Sequence, residues 1–396
     1  MESAFGITHI AFILFFDFLG GWLLQRLRQP ALIGYIVVGA IVGPGLLGLQ
    51  ANDPTLQWLA ELAIIFLMFM LGLELDISRF AKGMRAAVWV TTLQILAGLA
   101  VMVSAAILFD WPLQLGIILG FAIALSSTAV AVSMLRDLRE TNSSAGRLAT
   151  ANLIAQDIAV VPMLLVVGAF HEGTVNFESL IRLSVALGTI ALSLLAIFRL
   201  QKHPEIIAKV ERILNAGAGQ PVVAGMALCF GAAALSGALG LSTAYGAFAL
   251  GLLIGNIGTI GASYRHAIHP IHDFLMMLFF LSIGLLLDFV FIFKNIFVIA
   301  TLLGITILLK TIFNVFLFRL LGTPVRTAYT LGAVLGQIGE FSFVLVALGL
   351  SSGFISHDGY RIALAVIALS LALSPLSLQI VRHYLDPDGH IRHPAV

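Results

Sequence analysis

The stretch ALSSTAVAVS, residues 124–133, lies inside an apolar run that extends from 112 to 134. A helix facing only lipid would fill such a run with Leu, Ile and Val, yet this one carries Ser126, Ser127 and Thr128 among small residues. A second stretch of the same character, LGAVLGQIGEFS at 331–342, interrupts the run 327–350 and contains Gln337 and Glu340. Small residues alone also serve close helix packing. Two interruptions of one kind, one with a carboxylate inside, point instead to membrane helices broken around a substrate site.

The rest of the chain supplies the membrane setting. Of its 396 residues, 60% are hydrophobic and 10% charged, and apolar runs of about 20 residues, enough to cross a bilayer, recur from end to end. Irregular backbone cannot face lipid, and these runs are too long and too weakly alternating for barrel strands. The class is an all-α polytopic membrane protein. Thirteen spans are read, at 4–24, 31–48, 56–74, 86–108, 112–134, 146–170, 179–199, 221–237, 241–260, 271–287, 291–318, 327–350 and 359–383. The first has no small-residue cleavage site and is read as a retained helix. Six spans precede a linking span, and the segment 200–217, charged and apolar at helical spacing (Ile206, Ile207, Val210, Ile213, Leu214), follows it as an interfacial helix. Six more spans complete the chain. This arrangement permits a six-plus-six inverted repeat, and the two interrupted runs, spans five and twelve, occupy equivalent places in it.

Orientation follows from the basic residues. One set of connections holds Arg26, Arg28, Arg79, Lys82, Arg85, Arg136, Arg139, Arg147, Arg199, Lys202, Lys209, Arg212, Arg265, Arg319, Arg326, Arg382 and Arg392, seventeen in all, against Arg182, Lys294 and Arg361 on the other. The amino terminus is expected outside and the carboxyl terminus in the cytoplasm. The net charge of +1 conceals this asymmetry, which signals topology and no nucleic-acid partner. The single Cys229, inside a span, has no intramolecular disulfide partner and reads as packing.

Three ionisable groups lie well inside the later spans: Asp157, Lys310 and Glu340. Insertion of each costs about 2.5–3.5 kcal/mol, so each is expected to face a partner or water. In a cavity open to one side at a time, a proton and a desolvated monovalent cation compete for the one negative charge of Asp157. That competition is exchange chemistry. Gln156 adds a neutral carbonyl oxygen, Asn152 lies one turn earlier on the same face, and Ser126, Ser127 and Thr128 offer hydroxyls and freed carbonyls. A single carboxylate with neutral oxygens suits an alkali ion. The competing reading of Asp157 is a buried ion pair with Lys310. No H-E-x-x-H or comparable catalytic constellation occurs in the spans, so an enzyme is not expected.

The stretches RLRQPALIGYIVVGAIVGPGLLG (26–48), FLMFMLGLELD (66–76), ALSSTAVAVSML (124–135), LIAQDIAVVPML (153–164), SYRHAI (263–268), LFFLSIGLLLD (278–288) and LGQIGEFSFVLVALG (335–349) carry a resemblance over the whole length. In order and spacing they are similar to the monovalent cation:proton antiporters of the Kef/NapA type. The resemblance implies the NhaA/NapA-like antiporter fold, a homodimer in membrane lipid, and two crossed, partly unwound helices at spans five and twelve. It also implies elevator-type alternating access. Under it, residues 1–85 and 221–290 form the dimerisation helices of the two repeats, 86–170 and 291–384 the transport core, 171–220 the link and 385–396 a short tail.

The family's ion-binding aspartate falls on Asp157. Sodium-exchanging electrogenic members place a second aspartate before it, whereas Gln156 resembles the potassium-efflux Kef branch. The resemblance therefore implies exchange of K+ in preference to Na+ for H+, one for one and electroneutral, with no cofactor and with a bacterial inner-membrane location. Lys310 matches the core lysine whose partner aspartate is absent here, leaving Glu340 of the GEF motif as its candidate partner. Glu340 and Gln337 are read first as support for the broken span. Kef proteins continue into a nucleotide-binding regulatory domain that this chain lacks, so glutathione gating is not expected.

The stretch HAIHPIHDF (266–274) reads as a loop, because Pro270 disfavours one helix through His266, His269 and His272; solvated histidines are expected there, with metal binding or pH sensing as the alternative. Glu74 and Asp76 read as helix-terminal charges, and Asp17 as an interfacial one lying deeper than its peers. A cation channel and a sodium-coupled symporter on the same fold are the competing functions.

Overall fold

The computed structural model describes residues 7–26, 31–41, 54–75, 85–169, 177–200, 202–203, 205, 207–209, 220–257 and 260–385. Most of the segment 200–217 lies outside these residues, as do Arg28, Arg79, Lys82, Arg212, Arg392, Asp76 and the tail after Leu385. Among the described residues there are sixteen helices and no strand. They are α1 (Ile7–Arg26), α2 (Ala31–Ile41), α3 (Pro54–Glu74), α4 (Arg85–Leu108), α5 (Leu113–Ala124), α6 (Thr128–Asp137), α7 (Ser144–Ala169) and α8 (Phe177–Leu200). The second half contributes α9 (Gln220–Ala238), α10 (Thr243–Gly255), α11 (Ile260–Leu285), α12 (Phe289–Lys294), α13 (Ile296–Leu320), α14 (Val325–Val334), α15 (Phe341–Ser351) and α16 (His357–Leu385). The pairs α5–α6 and α14–α15 are the two broken spans; with α12 set aside as a six-residue helix capped by Asp288, thirteen helical segments remain among the described residues, roughly in line with the thirteen spans expected. Among the described residues five segments are long and apolar enough to cross a membrane by themselves: Arg85–Leu108, Leu113–Arg136, Ser144–Gly168, Tyr264–Leu285 and Ile296–Leu320.

Packing separates the helices into two groups. α1, α2 and α3 pack with α9, α10 and α11, while α4 to α7 pack with α13 to α16. Small residues decide how closely the first group can approach. A Cβ at Gly72 of α3 would stand 2.4 Å from the Phe248 carbonyl oxygen, and one at Gly251 of α10 would stand 2.2 Å from that of Phe69, so the two backbones touch where any larger residue would separate them.

The helix α11 corrects one expectation. Residues 266–274 are helical, not a loop, and Pro270 is inside the helix. Proline is tolerated within membrane helices because neighbouring elements and local adjustments re-satisfy the freed backbone groups, and α7 likewise runs through Pro162. His269 and His272 each place Nδ1 3.2 Å from a carboxylate oxygen of Asp273. Among the described residues no three His, Cys, Asp or Glu side chains cluster to hold a metal ion. Asp17 is corrected too: it is fully buried in α1 rather than interfacial, and both its oxygens lack a hydrogen-bond partner among the described residues.

Candidate ion site at the crossing of two broken helices

The helix α5 ends near the middle of its span and α14 ends before the middle of its own. Residues 125–127 and 335–340 then run without regular helix before α6 and α15 resume. These two breaks meet. The Gly339 N–H donates to the Leu125 carbonyl at 3.1 Å, the Ser126 hydroxyl to the Leu335 carbonyl at 2.9 Å, and the Gln337 side-chain amide to the Ser127 carbonyl at 3.3 Å. Ser342 Oγ donates to Ala122 O at 3.1 Å, and Ser370 Oγ of α16 accepts from the Ile338 N–H at 3.0 Å. Backbone groups freed by the breaks thus find partners in protein, as a lipid-embedded structure requires. The crossing also explains Gly339: a Cβ there would lie 2.8 Å from both the carbonyl carbon and the oxygen of Ser126.

The half-buried Asp157 stands beside this crossing on α7. Its Oδ2 accepts from the Thr128 hydroxyl at the start of α6 at 3.1 Å. Of the expected oxygen donors, Thr128 is therefore brought directly to the carboxylate. Asn152 and Gln156 face elsewhere. Gln156 Oε1 accepts from the Ser126 N–H at 2.9 Å and its amide donates to Gln94 Oε1 at 2.9 Å. The Asn152 amide donates to the same Gln94 oxygen at 3.3 Å, and Asn152 Oδ1 accepts from Thr91 at 3.3 Å. Gln94 closes the array by donating to Asn314 Oδ1 at 2.7 Å, and Asn314 donates to the Leu335 carbonyl at 3.4 Å. One hub, Gln94, thus ties α7 and the α5–α6 break to α13 and the α14–α15 break. Thr91, Gln94 and Asn314 are the polar residues that sequence reading missed. Their only signal was an uncharged polar side chain inside an apolar span.

Lys310 on α13 does not pair with Asp157 or Glu340. Its ammonium donates instead to the Leu125 carbonyl, the same oxygen that accepts from Gly339. That carbonyl lies at the C-terminal end of α5, where the helix dipole places partial negative charge, so a cation there is doubly favoured. Glu340 takes the opposite station, immediately before α15 in helical geometry. Its carboxylate faces the Ser127 hydroxyl and the Ala129 backbone at the start of α6. Two helix N-termini thus meet one carboxylate, and one C-terminus meets the lysine.

The model of the family described as "Sodium/hydrogen exchanger, transmembrane" matches residues 14–382. The architecture defines a multi-pass membrane transporter of the cation/proton antiporter class, and the chain belongs to that exchanger family. Among curated relatives, an iron transporter, MagA, of Paramagnetospirillum magneticum is 38% identical over 376 residues, covering 95% of this chain and 86% of the relative. A putative cation/proton antiporter, YbaL, of Escherichia coli is 29% identical over 389 residues, covering 96% of this chain and 69% of the relative. The solved structure of the sodium proton antiporter MjNhaP1 from Methanocaldococcus jannaschii at pH 8 superimposes with a TM-score of 0.72, covering 97% of this chain and all of that one. Its identity is 16%, so the likeness is one of fold.

Proposed function

We propose that the chain exchanges a monovalent cation, K+ in preference to Na+, for H+, one for one and without net charge movement. The observation that carries this reading is Asp157, a carboxylate left partly open beside the crossing and bonded by a single hydroxyl. Such a group holds a proton or a partly dehydrated alkali ion, and occupancy by one excludes the other. The Thr128 hydroxyl donates to the carboxylate and, when a cation is bound, can turn a lone pair toward it. Gln156, in the place a second aspartate would take, is neutral and already bonded. The cycle then has one titrating aspartate, which supports the electroneutral stoichiometry.

The group α1–α3 with α9–α11 serves, in this reading, as a static dimerisation unit in the bacterial inner membrane, and α4–α7 with α13–α16 as the moving transport core. The close glycine packing of α3 on α10 supports the first assignment. The hydrogen bonds between the two breaks support the second, because they let the core shift as one body. The oxygen groups at Asp157 suit a hard alkali ion, and ferrous iron belongs in the test panel because of the first relative.

The test uses purified protein in liposomes with a pH-sensitive dye, titrated with K+, Na+, Li+ and Fe2+. Native protein is expected to move protons on addition of K+ most strongly, and Asp157→Asn to respond to none. Exchange retained in the variant would remove Asp157 from the mechanism. A rate that changes when valinomycin clamps the potential would refute the one-for-one stoichiometry.

A further inference from the structure

Glu340 has an unassigned oxygen. The residue is 7% exposed, and its Oε2 has no hydrogen-bond partner among the described residues. Gln337, three residues earlier and 2% exposed, has the same deficiency at Oε1, because its amide nitrogen is the atom bonded to Ser127. Two acceptor oxygens, one on a carboxylate, thus lie buried in the same break without a donor. The helix N-termini offer Glu340 only partial positive charge, and Lys310, the nearby full cation, is committed to the Leu125 carbonyl. Among the described residues no ion pair is formed by Glu340.

A cavity lies further along the helix that Glu340 precedes. It measures about 490 Å³ and opens between the two helix groups on the face that carries Glu61, His357 and Arg361, and α15 lines it with Val344, Ala347, Leu348, Leu350 and Ser351. On a helix with 3.6 residues per turn, positions 340, 344, 347, 348 and 351 share one face. Glu340 keeps helical geometry (φ −60°, ψ −33°), so it falls on the same helix face as Val344, Ala347, Leu348 and Ser351, one turn before the first of them. We propose that Glu340 and Gln337 form a second subsite for a monovalent alkali cation, standing between this cavity and Asp157. The ion reaches it partly dehydrated, takes Glu340 Oε2 and Gln337 Oε1 as ligands, and passes on to Asp157. The inference rests on the antiport reading, since it names a station on that ion's route.

The test reads binding and turnover separately. Thermal stability of the purified protein is followed in choline chloride as K+ or Na+ replaces choline, for Asp157→Asn and for Asp157→Asn combined with Glu340→Gln. Cation-dependent stabilisation is expected to persist in the first and to vanish in the second. In liposomes, Glu340→Gln is expected to raise the cation KM about tenfold, the loss of one favourable ligand, while kcat changes much less; Glu340→Asp recovers part of the affinity. A native KM in Glu340→Gln, or loss of all cation-dependent stabilisation in Asp157→Asn alone, overturns the subsite. Where Glu340→Gln does not fold, Gln337→Met carries the same test, and a native KM there overturns it equally. Failure of the antiport reading is separable: native protein would then show no cation-driven proton flux, while the stability comparison would still judge the subsite.

Discussion

The two breaks share a backbone plan and differ in charge. At residues 125–127 the chain offers only hydroxyls and carbonyls, and its charge compensation, Lys310, comes from α13 in the other half. At residues 335–340 the chain carries its own carboxylate, Glu340, and reaches back to the start of α6 in the first half. Each break draws a partner from the half to which it does not belong. An inverted repeat can therefore keep its pseudo-symmetric scaffold while placing one cation and one anion where the opposing helix ends require them. What differs further is the neighbourhood: the first break adjoins an amide array and Asp157, the second a serine of α16.

The comparison predicts unequal tolerance to substitution, beyond the loss of exchange expected for Asp157→Asn. The largest further effect belongs to Gly339→Ala. Its methyl would meet the Ser126 backbone at 2.8 Å, and backbone cannot swing aside as a side chain can, so the breaks must separate. Liposome exchange is expected to fall to background even where the variant still elutes as a folded protein; native exchange would show that the contact is dispensable. Next comes Gln94→Leu, which strips partners from Asn152, Gln156 and Asn314. Each buried group left unpaired costs about 1–3 kcal/mol, so a clear drop in the thermal unfolding midpoint is expected together with slowed exchange. An unchanged midpoint would mean that water replaces the hub. The smallest effect is expected at the cavity mouth. Arg361 pairs with Asp288 at 3.9 Å with both side chains well exposed, a geometry worth about 0–1 kcal/mol, so Arg361→Ala should leave the midpoint nearly in place.

Much of the architecture was legible because bilayer physics is written in composition. Apolar runs of one length, basic residues in alternate connections, and small polar residues in the middle of spans five and twelve each reflect a single constraint acting locally. The errors have an equally physical origin. Pro270 reads as a helix breaker in isolation, but α11 carries it because a membrane helix buried among neighbours can re-satisfy the backbone groups that proline frees. The partner of Lys310 was sought among carboxylates, since a sequence displays side-chain charges and hides carbonyls; the actual acceptor is the Leu125 backbone, which becomes available only once α5 has broken.

Sequence by itself determined the class, the approximate helix count, the places where two spans break, and the aspartate beside the first break. Those are consequences of how each residue type partitions between lipid and water. Tertiary structure alone decided that Thr128 meets Asp157, that Gln156 turns to Gln94 and Ser126, and that Glu340 keeps a buried oxygen without a hydrogen-bond partner among the described residues. Hydrogen bonds join residues tens to hundreds of positions apart, and their direction depends on which donors the crossing of two helices brings within about 3 Å of which acceptors.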